Sequence, residues 1–257
     1  MNQYFNLARF GRLLRKHTLE HIKGYAISVA VLAGGIAVVL GSLTYLRHWP
    51  LDHEMQLILF IFGLLAAGGV FTSTVFAEVG DPKRAATALL LPTSHIEKYL
   101  VAWFYSLPLF LVIYAVVFTG VNLLILKVGS NGHPYELYDF SRGASEWVSP
   151  LLSYVLLHSV ALWGAIYFQR LHVIKTAFLI FGSMLLLLLV NRQVMLALLP
   201  SSRPIAPFSD VWVGEGMQSS LLSLPDNQWQ LLMVLLPIAL AMLLWAASYA
   251  RLTEKQL

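Results

Sequence analysis

An all-α integral membrane protein with six spans is the fold class this sequence predicts, and three observations predict it. Hydrophobic residues make up 58% of the 257 and charged residues only 12%, where soluble domains average about a quarter charged. Six apolar runs, at 25–46, 55–77, 96–126, 147–168, 173–190 and 229–249, lie near the ~20 residues that cross a bilayer as a helix. Lys and Arg gather beside those runs and favour one side. With the amino terminus placed inside, twelve fall on inner segments and five on outer ones, which by the positive-inside rule puts both termini in the cytoplasm. The net charge of +4 is therefore written as membrane topology, and no phosphate-binding footprint of a nucleic-acid partner is expected. No cysteine occurs, so disulfides and thiolate metal sites are excluded.

The chain is read as a single transmembrane domain, 1–257. Within 1–23, Leu7, Phe10, Leu13, Leu14 and His17 fall on one side of a helix, and Arg9, Arg12, Arg15, Lys16 and Lys23 on the other. That pattern predicts an interfacial helix in the headgroup layer of an anionic leaflet. In the first span Ala26, Ala30, Ala33, Ala37 and Gly41 recur at steps of three and four, a stripe of small residues that another helix can approach closely, in the same chain or in a second copy. Ala66-Ala67-Gly68-Gly69 marks close packing near the middle of the second span. The third carries Pro108 and is expected to kink there, and the fifth is short because Asn191-Arg192-Gln193 interrupts it. Pro200, Pro204 and Pro207 follow, and the semi-apolar piece 211–224 is expected to be a re-entrant or surface helix before the sixth span, which contains Pro237.

Between spans two and three runs a polar segment. Asp81 offers a capping oxygen, and Pro82 occupies a first helical position, where its missing N–H costs nothing. Lys83 and Arg84 follow. Pro92 ends the helix after about three turns, because the residue before a proline avoids the α region. A second helix begins at once, since Ser94-His95-Ile96-Glu97 has capping-box spacing. The expected result is helix, break, helix: a short transverse element joined by a sharp corner to span three.

Leu91-Pro92-Thr93-Ser94 and Glu97-Lys98-Tyr99-Leu100, after a second span and an Asp-Pro, resemble the permease subunits of type-2 ABC transporters, six-span halves of exporters. The likeness extends over the whole chain in span count and loop order. It implies that Asp81, Pro82, Lys83, Arg84, Leu91, Pro92, Ser94 and Glu97 belong to a coupling helix seated in a separate ATPase subunit. It also implies a homodimer or a heterodimer with a similar permease, whose first and fifth spans form the subunit interface, with the stripe of the first span as the specific contact, in a bacterial inner membrane. ATP and Mg would belong to the partner chain, leaving this one without a cofactor.

The residues agree with that division of labour. No Gly-x-x-x-x-Gly-Lys-Ser/Thr occurs, so any P-loop lies on another polypeptide. Neither His-Glu-x-x-His nor Gly-x-Ser-x-Gly is present, and no metal site is expected. The ionisable group deepest in a span is His158, a candidate polar site inside the membrane or a neutral ring bonded to a nearby Ser or Tyr. Two other classes stay open. An intramembrane enzyme would use His158 with outer acids such as Asp210 or Glu215, and a scaffold or channel subunit would lack any coupling to ATP.

Overall fold

Helix α1 (Leu7–Arg47) is one unbroken rod of 41 residues, about 60 Å long at 1.5 Å per residue and roughly twice the depth of a bilayer's apolar layer. The computed structural model describes residues 5–80, 94–130, 134–137, 144–168, 171–198, 211–213, 220–222 and 226–254. Six of its helices are long and apolar enough to cross a membrane. The chain is a multi-pass membrane protein.

The amphipathic stretch and the first span are thus two parts of a single helix rather than a surface helix followed by a span. Gly24 sits at their junction and costs about 1 kcal/mol relative to alanine, too little to break a helix flanked by good formers. Asn6 caps α1, its side-chain oxygen accepting from the amides of Ala8 and Arg9. At the other end His48 turns left-handed, with φ 61°, and its amide returns to the Thr44 carbonyl. Across that turn Arg47 Nη1, on the last residue of α1, pairs with Asp52 Oδ1 at 2.7 Å. The Asp52 carboxyl lies below its usual range, first through a hydrogen bond from its own backbone amide and then through Arg47.

Helix α2 spans His53–Gly80. Span three is built from α3 (His95–Phe104), a π-helical turn at Tyr105–Leu109, and α4 (Phe110–Gly129). The expected kink at Pro108 takes this form because a ring without an N–H leaves a carbonyl free, and a wider turn absorbs it. Helices α5 (Ala144–Tyr167), α6 (His172–Leu198) and α7 (Asp226–Glu254) complete the bundle. Helix α6 does not stop at Asn191. Arg192 and Gln193 are good helix formers, and polarity alone does not end a backbone ladder.

The expected helix within 211–224 is also corrected. Strands β1 (Val211–Val213) and β2 (Ser220–Leu222) pair antiparallel there, Trp212 opposite Leu221. Val-Trp-Val favours an extended chain, because β-branched and aromatic side chains fit a pleated surface better than a helix.

Two buried clusters hold the bundle. One gathers Leu40, Phe60, Leu64, Tyr114, Phe118 and Tyr154 from α1, α2, α4 and α5. The other joins Tyr99 and Ala102 of α3 with Leu162 and Ile166 of α5 and Leu252 of α7. Helix α5 is central and packs most extensively against α7 and α2. Gly68 allows this, for a Cβ there would run into the ring of Tyr154, as close packing around Ala66-Ala67-Gly68-Gly69 requires.

Candidate functional site

The corner at the start of α3 is built by a capping box. Ser94 Oγ accepts from the Glu97 amide at 3.3 Å, and Glu97 Oε2 accepts from the Ser94 amide at 3.1 Å. This is the reciprocal arrangement that the Ser-x-x-Glu spacing demands. The same carboxylate does more than close its own helix. Glu97 Oε1 accepts from the Asn6 amide at 2.9 Å and meets Arg9 Nη2 at 3.2 Å. Its side chain is wholly buried, while that of Arg9 is 26% exposed. One carboxylate therefore closes α3, anchors the cap of α1 and neutralises the first cation of α1, across 91 residues of sequence. A buried charge is tolerated only when paired and hydrogen-bonded in this way.

Ser94 and Glu97 are thus brought together as their spacing anticipates. Asp81, Pro82, Lys83, Arg84, Leu91 and Pro92 lie outside the described residues, and so do Asp210 and Glu215.

Above the corner, span three is held at further points. Tyr99 Oη donates to the Trp245 carbonyl of α7 at 3.0 Å, and Tyr105 Oη pairs with Thr18 Oγ1 of α1. At the π turn stands His158, fully buried. The Trp245 indole N–H, which can only donate, points at His158 Nδ1 over 3.3 Å. That assigns the proton to Nε2, which donates to Ser106 Oγ at 2.8 Å. Ser106 Oγ passes its own hydrogen to the Trp103 carbonyl at 3.3 Å, and Tyr154 Oη donates to the Ser106 carbonyl at 2.8 Å. Each ring nitrogen of His158 has a partner. Such a node fastens α5 and α7 to the turn inside span three, and it offers a substrate neither a free lone pair nor a free proton.

A third polar group lies toward the other end of the bundle. Gln56 Nε2 donates to the carbonyls of Leu51 and Glu136, at 2.8 and 2.9 Å, and Asn122 Nδ2 donates to Gln56 Oε1 at 2.8 Å. This ties α2 to α4 and to the segment 134–137. Sequence reading missed it, although an Asn and a Gln within otherwise apolar runs were a signal that two helices share a hydrogen bond.

The small-residue stripe of α1 divides. Gly41 faces Ile125 of α4, and Ala33, Ala37 and Gly41 are half-buried within the chain. Ala26 and Ala30 are exposed. Among the described residues no group of three or more His, Asp or Glu is placed to hold a metal ion.

Comparison of the chain with models of protein families, with curated proteins and with solved structures finds no match.

Proposed function

We propose that this chain is the membrane permease subunit of an ATP-driven exporter of the type-2 ABC class, working as a homodimer or with a similar partner subunit, on a separate ATPase that holds ATP and Mg. The observation that carries the reading is the corner at Ser94 and Glu97. It stands directly after a polar, cationic segment between the second and third long apolar helices, and it is braced against α1 by a buried carboxylate. A rigid corner transmits a push that a flexible loop would absorb. In this reading the segment 81–94 is the coupling element, both termini are cytoplasmic, and the chain resides in a bacterial inner membrane. The exposed faces of α1 and α6 leave room for a second subunit. The intramembrane-enzyme reading loses support, since both nitrogens of His158 are engaged by neighbouring side chains.

The test is affinity purification of the chain from its native membrane. We expect an ATPase carrying a P-loop peptide to co-purify, and Arg84→Glu or Leu91→Asp to weaken its retention about tenfold, as loss of one charged or apolar anchor of about 1.4 kcal/mol would. Cysteines introduced at Gly132 and Ser219 into this cysteine-free chain are expected to react from the outside only. Retention and ATPase stimulation equal to wild type in both variants would overturn the coupling role.

A further inference from the structure

Glu97 is the group on which two elements of different sequence origin converge, and we propose that it is a positioning residue that makes the first turn of α1 and the corner at Ser94 one rigid body, so that α1 moves with the start of span three. The transport consequence rests on the reading given under Proposed function; the mechanical link does not.

The geometry separates this role from ordinary helix capping. A capping box needs one carboxylate oxygen on its own N-cap amide, and Oε2 does that for Ser94. Oε1 is then free for other work, and both its partners, the Asn6 amide and the Arg9 guanidinium, belong to α1. Asn6 in turn orients the α1 start by accepting from the amides of Ala8 and Arg9. The linkage runs from Ser94 through one carboxylate to the N-cap and first turn of α1, with no water-exposed step at Glu97. Charge-assisted bonds to a carboxylate that is itself buried from water are the stiff kind. Higher up, Thr18 meets Tyr105 and Tyr25 stacks on Tyr105 with centroids 5.4 Å apart, so α1 and span three stay in contact for several turns beyond the clasp. A displacement of the corner therefore moves α1 as well as α3.

Pairs of spin labels read the link directly, because the chain has no native cysteine. Cysteines at Leu7, which is 75% exposed, and Ile96, at 36%, place one label on each element. The wild-type pair is expected to give one narrow distance distribution in lipid nanodiscs. Arg9→Met, which keeps length and apolar contact, and Glu97→Gln, which keeps an acceptor for Ser94, should each broaden it at least twofold, and Arg9→Lys should restore it. Broadening in neither variant overturns the clasp. Failure of Arg9→Lys to restore the narrow distribution also overturns it, as would broadening explained by loss of the fold on circular dichroism. The second readout is ATP hydrolysis by the ATPase that co-purifies with the wild-type chain. With that ATPase still bound, Arg9→Met should cut its stimulation roughly fivefold to tenfold, the factor that about 1 to 1.4 kcal/mol of coupling represents, and unchanged stimulation overturns transmission through α1. Absence of any ATPase from the wild-type preparation counts against the proposed function alone, and the distance distributions still decide the clasp.

Discussion

Helices α5 and α6 are neighbours in sequence and opposite in design. Helix α6 is the more apolar of the two, with an unbroken Leu185–Leu189 run, yet only 6% of its apolar window is buried inside the protein. Helix α5 carries Tyr154, His158, Ser159 and Gly164, and half of its window is buried. In water the more apolar helix would be the inner one. In a bilayer the ordering turns over, because lipid tails are as apolar as leucine and give no reason to hide it. Polar groups are the ones that gain by facing inward, where other helices supply partners. The span that reads as the weakest by hydropathy is therefore the one around which the others assemble.

The largest effect that follows is in α5. Tyr154→Ala should lower stability by about 2–3 kcal/mol, the cavity and dispersion share of a large-to-small change when the water-transfer share is absent. The ring is fully buried between Phe110 and Gly68, and its hydroxyl holds the Ser106 carbonyl. Unfolding in mixed detergent micelles measures this, and a change below half a kcal/mol would deny α5 its central place.

A smaller effect separates the two helices with one substitution made twice. A Cβ on Gly164 would collide with Thr176 of α6, whereas nothing lies within 4 Å of one on Gly182. Gly164→Leu is expected to cost about 1–3 kcal/mol through overpacking. Gly182→Leu should be close to neutral in the isolated subunit, measured in the same micelles. A sizeable loss at Gly182 that appears only in the assembled protein would show that a second subunit covers this face.

What sequence reading could see here depended on separation along the chain. The capping box at Ser94 and Glu97 spans three residues, and its chemistry is complete within them, so spacing alone places it. The close approach at Gly68 was legible for a similar reason, since a small residue in an apolar run means that something comes near. That Pro108 disturbs span three was also legible, though not that a π turn would be the outcome. The partners of Glu97 at Asn6 and Arg9, and of His158 at Trp245, lie 91, 88 and 87 residues away. Nothing local announces them. The strand pair at 211–213 and 220–222 escaped because short semi-apolar runs carry no decisive period. The join of the amphipathic stretch to the first span escaped because a change from a basic amphipathic pattern to an apolar one marks a change of surroundings, which one helix can cross unbroken.

The smallest of these effects concerns His158, and it tells a fastening from a chemical group. Removing the ring by His158→Leu leaves the Trp245 N–H without its acceptor, while Ser106 keeps the Trp103 carbonyl. Interhelical hydrogen bonds in membranes average only about 0.6 kcal/mol, because the unfolded chain in lipid finds other partners. The expected loss is therefore about 1 kcal/mol, even though the residue is ionisable and sits at the centre of the bundle. A glutamine can accept from Trp245 through its oxygen and donate to Ser106 through its amide, so His158→Gln should recover part of the loss. A double-mutant cycle of His158→Leu with Trp245→Phe should return a coupling within that small range. The contrast with Tyr154 is the informative quantity: two buried groups one helical turn apart on α5, the large phenol ring worth more than the smaller imidazole. If His158→Gln folds like wild type but abolishes the protein's activity in its native membrane, the ring has a chemical role, and the reading of this node as a fastening between α5, α7 and the π turn is wrong.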